Sequence, residues 1–438
     1  MLRVYLRQKI MSLRSFIKGL DESELEDHTS KEMDFELEPT KLLARLDPAE
    51  KVALFKVRSS KHICVGNVLN SRARLYRKVL NVENDEAAYE KLVEALSRPV
   101  KPLEKDFHNY YSTVKEVDLT SIPFIKFYPG DGGRYLSSAI YIACLDNVCN
   151  ASIHRTMLVT KNSVVARIVP RHLRYIYDQY RKSGKEMPVA IVVGVHPAVE
   201  LMAASSPPFG VFELDLVPNI LSDFSIVYTP KYGIPVPASA ALVLEGRVSI
   251  TQFVEEGPFV DLLHLYDARR KEPLIAIDGM YVNLEEYFHV ILPAGKEHKL
   301  LQSFHREAMI WQTVSNVVPR VYRVRLLESA GSWLIIVLSI AKNTDGDAKN
   351  AILAAFSGHP SAKIAIAIDN DVDADSLDKL VWALATRFRG KESMVIVEKS
   401  RCSTLDPSSP DGICDKLGLD LTLPVSANKK QFEYVKIE

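Results

Sequence analysis

Cysteine is scarce in this chain: there are five in 438 residues, and no two of them form a C-x-x-C pair. The spacing excludes a zinc ribbon, and the odd number argues against a disulfide framework. A reducing cytoplasm is therefore the expected compartment. A bridge between Cys402 and Cys414 stays open, because intracellular disulfides do occur in hyperthermophiles.

Long apolar runs and an excess of one charge are also missing. No segment approaches the ~20 consecutive apolar residues that cross a bilayer, and the N-terminal twenty residues lack the apolar core of a signal peptide. Lys plus Arg and Asp plus Glu number 55 each, so the formal net charge is zero. The protein therefore has no overall positive electrostatic potential that would attract a polyanion. We expect a protein that binds neither membranes nor nucleic acid.

Several catalytic and nucleotide-binding signatures are absent. The sequence contains no G-x-G-x-x-G after a strand, no G-x-x-x-x-G-K-[ST], no H-E-x-x-H and no G-x-S-x-G. These absences argue against a Rossmann dinucleotide site, a P-loop, a zincin and an α/β-hydrolase.

What is present is the composition of a globular protein, 47% hydrophobic and 25% charged, long enough for two or three domains. Residues 1–116 mix short apolar runs with a polar helix and predict an α+β domain. Residues 117–297 hold short β-branched runs bounded by turn residues, which predicts a barrel or sandwich. Residues 298–438 begin with a helix and continue as strand–helix–strand–helix–strand, which predicts a parallel α/β domain and then an irregular tail rich in Pro, Ser and Asp.

One cluster of polar side chains in the central region could hold a metal ion. Asn150, His172 and Glu213 supply an amide oxygen, an imidazole and a carboxylate, a set that suits Mn²⁺ or Mg²⁺ better than zinc. With three protein ligands, phosphate or water would complete the shell. The alternative is that these are ordinary surface side chains.

A second cluster surrounds a Gly-Pro turn. Glu255 and Glu256 precede it and Asp261 follows it, so the turn could direct two carboxylates into one cleft with Arg155. Acids beside an arginine have pKa values suited to proton transfer. A solvated acidic turn is the alternative. Asn150 and Arg155 are five positions apart, so both can serve one site only if the strand bulges or the ligand wraps around it.

These motifs stand in an order that resembles the UbiD family of prenylated-flavin-dependent decarboxylases. The matching segments are NASIHR at 150–155, RIVPRHL at 167–173, VLEGRVS at 243–249 and EEGPFVD at 255–261, and the similarity extends along nearly the whole chain. The resemblance implies an α+β, multidomain fold with an N-terminal α/β region, a central split β-barrel that binds flavin and a C-terminal α/β domain.

The resemblance also implies the cofactors, namely prenylated FMN, Mn²⁺ or Mg²⁺, and K⁺. Asn150, His172 and Glu213 match the residues that hold the divalent ion against the flavin phosphate, and Ser205 and Ser206 lie in a loop similar to the phosphate and potassium site. The full set of implied cofactor-binding residues is Asn150, Ser152, Ile153, His154, Arg155, Arg171, His172, Ser205, Ser206 and Glu213.

Arg155, Glu256 and Asp261 match the catalytic Glu–Arg–Glu/Asp network of the family. Loss of CO₂ from an sp² carbon needs an electron sink that side chains cannot provide, so the cofactor must supply it. Arg155 would orient the substrate carboxylate, Glu256 would hold Arg155, and Asp261 would protonate the carbon. Whether Glu256 or Asp261 donates that proton stays open, and so does the direction of the reaction.

The chain is short, and its SIHR and IVPRHL segments resemble those of a compact archaeal branch of the family. They imply conversion of trans-anhydromevalonate 5-phosphate to isopentenyl phosphate and CO₂ in the modified mevalonate pathway. The alternative substrate is an aromatic acid of the 4-hydroxybenzoate type from quinone synthesis, and a non-catalytic flavin-binding protein is the alternative from another class. His154, Lys296 and His298 are basic candidates for a phosphate pocket.

Two kinds of protein partner are implied as well. The family similarity implies self-association as a homodimer or larger assembly through the C-terminal domain. It also implies a flavin prenyltransferase of the UbiX type as the supplier of the cofactor.

Overall fold

The computed structural model describes residues 11–435. Residues 1–10, which belong to the predicted N-terminal domain and to the segment tested for a signal peptide, lie outside the described residues. The chain divides into two compact units. Unit 1 comprises the residues up to Val79, Ala95–Asp261 and Leu265–Leu301, and unit 2 comprises Leu80–Glu94, Leu262–His264 and the residues from Gln302 onward.

The helices, numbered in chain order, are α1 Leu13–Lys18, α2 Glu38–Leu46, α3 Arg72–Arg74, α4 Asp85–Ser97, α5 His172–Lys182, α6 Pro197–Ala204, α7 Lys296–Val314, α8 Asp347–Gly358 and α9 Leu377–Arg387. No helix among residues 11–435 is both long and apolar enough to cross a membrane.

Within the described residues, unit 1 contains four sheets. Their strands are β1 Leu25–Met33, β2 Val52–Val57, β3 Ile63–Gly66, β4 Leu103–Glu104, β5 Ser112–Thr113, β6 Tyr135–Leu136, β7 Ile140–Leu145, β8 Val148–Ile153, β9 Thr156–Thr160, β10 Ser163–Ala166, β11 Met187–Val193, β12 Ser225–Tyr228, β13 Pro235–Pro237, β14 Leu242–Glu256, β15 Phe259–Val260, β16 Tyr266–Asp267, β17 Arg270–Val282 and β18 Phe288–Val290. The smaller sheets have the orders β1-β2-β3-β18, β13-β12-β4 and β15-β16.

The large sheet of unit 1 has nine strands in the order β6-β9-β10-β17-β14-β11-β7-β8, with β5 attached to β17. Its terminal strands do not pair with each other within the described residues, so the predicted barrel is split rather than closed. The continuous apolar run of β11 is buried along its length, as expected for a central strand. Strand β11 ends at Val193, and helix α6 begins at Pro197 after a short connection. The fold is therefore the expected mixed α+β architecture.

Unit 2 is built on a five-stranded sheet. Its strands are β19 Arg320–Leu326, β20 Ile335–Ala341, β21 Ile364–Ile368, β22 Met394–Arg401 and β23 Ile413–Asp420, in the order β19-β20-β21-β23-β22. The three central strands are parallel and both edge strands are antiparallel. The first two strands of the predicted strand–helix–strand–helix–strand run, β20 and β21, are parallel as expected, but its third strand, β22, is an antiparallel edge strand. The prediction of an irregular tail is wrong for β23, which lies between β21 and β22. The buried positions of β23 include the charged residues Lys416 and Asp420, so the sequence does not show the alternation of apolar and polar residues that is typical of a strand.

Two disulfides are present. Cys144 and Cys149 are register partners across β7 and β8, and Cys402 is joined to Cys414. The argument from cysteine number against disulfides is therefore wrong, because pairing in a hairpin depends on strand register, which the count does not contain. Cys64 is buried and free.

Candidate active site

Arg155 lies where the chain leaves one strand and begins the next. Strand β8 ends at Ile153 and β9 begins at Thr156, so His154 and Arg155 form a break in the extended chain. The rule that residues five apart face opposite sides of a strand does not apply across such a break. The spacing conflict between Asn150 and Arg155 is thus removed by the end of a strand rather than by a bulge.

Arg155 makes a bidentate ion pair with Glu256, the last residue of β14. Its Nε lies 2.8 Å from Oε1, and its Nη2 lies 2.9 Å from Oε2. Glu256 is fully buried, and the Tyr135 hydroxyl donates to its Oε1 at 3.4 Å. Burial alone would lower the pKa of Arg155, but Glu256 and two nearby aspartates outweigh it and raise that pKa. The arginine is therefore a fixed cation with a fixed orientation.

Asp267 is a further carboxylate on Arg155 that the sequence did not point to. Its Oδ2 accepts from Nη2 of Arg155 at 2.9 Å, and its Oδ1 accepts from Nη1 of Arg270 at 2.6 Å. Burial raises the pKa of Asp267, but Arg270 and Arg155 outweigh it and lower that pKa below the usual range. Asp267 stays anionic, so it balances charge and holds Arg155 rather than carrying a proton.

Asp261 is the most accessible of the three carboxylates around Arg155. Its Oδ2 lies 3.9 Å from Nη1 of Arg155, and its side chain is 24% exposed. Its backbone N–H donates to the carbonyl of Leu265 at 2.9 Å, which closes the turn between β15 and β16. The Arg155 guanidinium also lies over the Phe259 ring, 5.1 Å from its centre. The structure therefore brings together the three residues predicted to be catalytic.

Gly132 packs directly against the turn that follows Glu256. Its N–H donates to the carbonyl of Pro258 at 2.8 Å, and a Cβ at this position would lie 2.0 Å from the carbonyl oxygen of Gly257. No larger residue fits there without moving the turn. The glycine therefore fixes the backbone that leads from Glu256 to Asp261.

Asn150 and Glu213, two of the predicted metal ligands, are in direct contact. Nδ2 of Asn150 donates to Oε1 of Glu213 at 2.7 Å, and the Ala151 N–H donates to Oε2 at 2.7 Å. Both side chains are buried, and burial raises the pKa of Glu213 to about 7. A buried carboxylate without a cation beside it is the environment that a divalent ion would complete, so these donors fit such an ion.

The third predicted ligand, His172, lies on a different element from this pair. His172 opens helix α5, and its ring packs edge-on against Phe209 at 5.4 Å between ring centres. Among residues 11–435 no hydrogen bond joins His172 to Asn150 or Glu213. Asn150 and Glu213 are therefore in direct contact, whereas His172 has its described ring contact with Phe209.

His154 is neutral at physiological pH. Burial lowers its pKa to about 4, and its Nδ1 and Nε2 lie 2.8 Å from the Arg167 carbonyl and 2.9 Å from the Ser152 hydroxyl. It therefore cannot serve as a cation for a phosphate. The Ser152 hydroxyl also donates to Oδ1 of Asn150 at 3.0 Å, which ties His154 to the metal-ligand pair.

The other predicted cofactor-binding residues lie at element ends. Ile153 is the last residue of β8, and Arg171 is the exposed residue before α5. Ser205 ends helix α6 with its hydroxyl bonded to the Met202 carbonyl at 2.6 Å, and Ser206 follows it.

A buried group of three charged side chains, Glu200, His289 and Glu297, was not found from the sequence. We call it the Glu–His–Glu clamp. Nδ1 of His289 lies 2.5 Å from Oε1 of Glu200, and Nε2 lies 3.1 Å from Oε1 of Glu297. Burial would lower the pKa of His289, but the two carboxylates outweigh it and raise that pKa to about 10.

The three ligand atoms of the clamp lie within 4.8 Å of one another, close enough to surround a metal ion. Both imidazole nitrogens are already engaged, however, so an ion would have to displace one carboxylate. The clamp is better described as an imidazolium between two carboxylates. It connects α6, β18 and the first turn of α7.

The first turn of α7 carries the other two basic candidates. Nζ of Lys296 lies 3.6 Å from Oε1 of Glu50, so this lysine is already paired. His298 accepts the Ala294 N–H at Nδ1 at 3.1 Å. Burial lowers the pKa of His298, and Asp261 acts against this effect.

Comparison with known families and proteins agrees with this geometry. Residues 99–296 match the 3-octaprenyl-4-hydroxybenzoate carboxy-lyase Rift-related domain, and residues 299–421 match the corresponding C-terminal domain, both of the UbiD type.

Among curated relatives, the anhydromevalonate phosphate decarboxylase of Aeropyrum pernix is 41% identical over 95% of this chain and 94% of its own length. The protein of the same description from Methanothermobacter thermautotrophicus is 34% identical over 89% of this chain and 92% of its own length. Among solved structures, the UbiD-class enzyme HmfF from Pelotomaculum thermopropionicum, in complex with FMN, has a TM-score of 0.93 at 30% identity, covering 98% of this chain and 97% of its own. The chain belongs to the UbiD family.

Proposed function

We propose that the chain is a reversible non-oxidative decarboxylase that uses prenylated FMN and converts trans-anhydromevalonate 5-phosphate to isopentenyl phosphate and CO₂. The observation that carries the proposal is the arginine held by a buried glutamate, with a partly exposed aspartate beside it. The reaction class follows from family membership, and the substrate follows from the relatives described as anhydromevalonate phosphate decarboxylases.

Arg155 binds and orients the substrate carboxylate, because it is the fixed cation of the cluster. Glu256 holds the guanidinium plane through two hydrogen bonds, and Asp267 holds its other edge. Prenylated FMN, when bound, would supply the electron sink that loss of CO₂ from an sp² carbon requires. Asp261 then delivers a proton to the carbon that lost CO₂, since it is the accessible acid of the group.

The residues proposed to hold the cofactor surround the Asn150–Glu213 pair. Asn150, Glu213 and His172 would hold Mn²⁺ or Mg²⁺ against the flavin phosphate, and Ser205 and Ser206 would provide the potassium site. The raised pKa of the buried Glu213 supports a cation here. Further proposed contacts to the flavin come from Ser152, Ile153, His154, Arg155 and Arg171.

Replacing Glu213 with Gln is expected to lower the Mn²⁺ content and the flavin content together. The change keeps the size of the side chain but removes its charge, so metal affinity should fall by at least about tenfold. Metal analysis and flavin absorbance of the purified protein provide the measurement. Asp215→Asn is the matched control, since Asp215 lies on the same turn and pairs with Lys101. Normal flavin content with the metal lost would contradict the assignment.

An assay of the flavin-loaded protein on two acids tests the proposed substrate. Turnover of trans-anhydromevalonate 5-phosphate, with little turnover of 4-hydroxybenzoate, supports the proposal. The opposite preference would favour an aromatic acid decarboxylase of quinone synthesis. A purified protein that binds prenylated FMN and turns over neither acid would contradict both assignments.

We also propose that the chain works in the cytoplasm, that a UbiX-type prenyltransferase supplies its flavin, and that it self-associates through residues 298–438. The proposal includes the division into domains 1–116, 117–297 and 298–438.

Self-association is supported by an exposed apolar face of α9, formed by Leu377, Val381 and Leu384. Their spacing of four and three residues places them on one side of the helix.

Val381→Glu is expected to convert the assembly to monomer at micromolar concentration. A charge buried in an apolar interface should raise the dissociation constant by about 100-fold or more. Light scattering of the wild-type and variant proteins provides the measurement. Leu353→Glu is the control, because Leu353 is equally apolar and exposed but lies on α8. A wild-type protein that is monomeric at this concentration would contradict the proposal.

A further inference from the structure

We propose that Asp131 is a positioning residue of the active site, which holds in place the short sheet beside Arg155 that carries Asp261 and Asp267. The inference rests on the proposed function, in which Asp261 is the proton donor. We call residues 127–132 the support turn and the sheet of β15 and β16 the catalytic ribbon. Asp131 acts through the ribbon rather than by contact with the substrate.

The catalytic ribbon is too small to hold its own shape. Each strand has two residues, and the pairs are Phe259 with Asp267 and Val260 with Tyr266. Within the described residues the ribbon is a sheet of its own, with no third strand beside it. Isolated two-stranded sheets are marginally stable in water, and this one is very short. The position of Asp261, which directly follows β15, therefore depends on contacts that the ribbon makes with the rest of unit 1.

The support turn supplies two such contacts, one near each strand. The Gly132 N–H donates to the Pro258 carbonyl at 2.8 Å, directly before β15. The Gly130 N–H donates to the Tyr266 hydroxyl of β16 at 2.9 Å. Both glycines are closely packed: an added Cβ would lie 2.0 Å from the Gly257 carbonyl oxygen in one case and 2.7 Å from the Tyr266 hydroxyl in the other. A shift of the support turn would therefore move both strands.

Asp131 fixes the conformation of the support turn. Its Oδ2 accepts the N–H groups of Phe127 at 3.1 Å and of Tyr128 at 2.8 Å, and its own N–H donates to the Tyr128 carbonyl at 3.0 Å. A carboxylate that accepts N–H groups of its own turn replaces the regular backbone hydrogen bonds that a loop lacks. Asp131 stands between Gly130 and Gly132, so it sets the direction of both N–H groups that hold the ribbon.

The environment of Asp131 is unfavourable for a carboxylate, which favours a role in function over a role in stability. The residue is 6% exposed, and among the described residues it forms no ion pair. Buried aspartates are normally paired, because removing a carboxylate from water is costly. Burial raises the pKa of Asp131 to about 6, although the N–H groups of Tyr128 and Phe127 act against this effect. At neutral pH the ionised side chain therefore lowers stability while it shapes the turn.

Asp131→Ala tests the inference in the flavin-loaded protein, with Asp347→Ala as the matched control. Asp347 accepts the N–H groups of Asn343 at 2.7 Å and of Thr344 at 3.1 Å, which is the same pattern in unit 2, where none of the proposed catalytic residues lies. In Asp131→Ala we expect kcat to fall about 10- to 100-fold with KM and flavin content little changed, because a displaced proton donor slows the chemical step. Asp347→Ala should leave kcat unchanged. Asp131→Asn should recover most of the activity, since its amide oxygen can accept the same N–H groups.

A double variant separates positioning from a merely structural role. Because Asp131 acts through Asp261, Asp131→Ala should lower kcat by less than about twofold in a protein that already carries Asp261→Asn. An equal loss of kcat in both backgrounds would overturn the inference. A rise in KM or a loss of flavin in Asp131→Ala, with kcat unchanged, would also overturn it.

Tyr266→Phe is a second test that leaves the buried carboxylate in place. It removes the acceptor of the Gly130 N–H, and Tyr266 is half-exposed, so the variant should keep the fold. We expect kcat to fall about 3- to 10-fold, because one of the two contacts between the support turn and the ribbon is lost. An unchanged kcat in Tyr266→Phe would count against the support turn as the part that holds the ribbon.

Amide hydrogen exchange measures the ribbon without any turnover. The Asp261 N–H donates to the Leu265 carbonyl, so it is protected while the ribbon keeps its shape. We expect it to exchange at least about tenfold faster in Asp131→Ala and at the wild-type rate in Asp347→Ala. Unchanged exchange of this N–H in Asp131→Ala would overturn the inference. If the wild-type protein does not turn over the phosphorylated acid, the proposed function fails, and the exchange rate still decides whether Asp131 holds the ribbon.

Discussion

Replacing Asp261 with Asn is expected to lower kcat by about 10²- to 10⁴-fold while flavin content stays normal. The variant keeps the size of the side chain and its contact distance to Arg155, but it has no acidic proton to give. Asp261 is the accessible carboxylate of the cluster, whereas Glu256 is fully buried and bonded through both oxygens. Steady-state turnover and flavin absorbance of the same preparation provide the measurement.

Asp267→Asn is the matched control for this experiment. Asp267 touches the same arginine, but its pKa is lowered by Arg270 and Arg155, so it holds no proton at neutral pH. We expect a smaller loss of turnover that arises from a less firmly held Arg155. Near-normal turnover in Asp261→Asn would assign the proton to Glu256 instead.

His289→Ala is expected to lower the free energy of unfolding by about 3–5 kcal/mol. The change leaves Glu200 and Glu297 buried without their shared cation, which is the costly way to break a buried ionic group. Urea unfolding at neutral pH provides the measurement. A loss below about 1 kcal/mol, the value of an exposed ion pair, would contradict the description of the clamp.

The clamp also predicts how this loss changes with pH. The pKa of His289 is raised from 6.5 to about 10, so its stabilisation is complete below pH 6.5 and disappears as the pH rises through 10. The difference in stability between wild type and His289→Ala should therefore shrink from pH 7 to pH 10. His62→Ala is the control, because burial lowers the pKa of His62 to about 4 and its cost should be constant over this range.

The clustering of Arg155, Glu256 and Asp261 could be predicted from the sequence because each residue lies in a short motif that resembles a family motif. Arg155 and Glu256 are 101 positions apart in the sequence. Both nevertheless lie at the ends of strands, and the short apolar runs of the sequence predict where these strands end. Asp267 could not be found this way. Its contact with Arg155 depends on the pairing of β15 with β16, and no sequence signal specifies which residue of a two-residue strand faces the arginine.

The clamp was missed for a different physical reason. Glu200 and His289 are 89 positions apart, and they meet only because helix α6 and strand β18 pack together. A buried glutamate looks the same in sequence as a solvated one, since its partners come from tertiary structure.

The hydrogen bond from the Ala294 N–H to Nδ1 of His298 determines which tautomer that imidazole adopts. Because Nδ1 accepts and the pKa of the ring is lowered, the neutral ring carries its proton on Nε2. At Nε2 His298 can therefore only donate, so this nitrogen favours partners with acceptor oxygens and disfavours those that present N–H groups. The two ring nitrogens should accordingly give well-separated ¹⁵N resonances, with Nε2 the protonated one, and this spectrum reports the arrangement without any turnover.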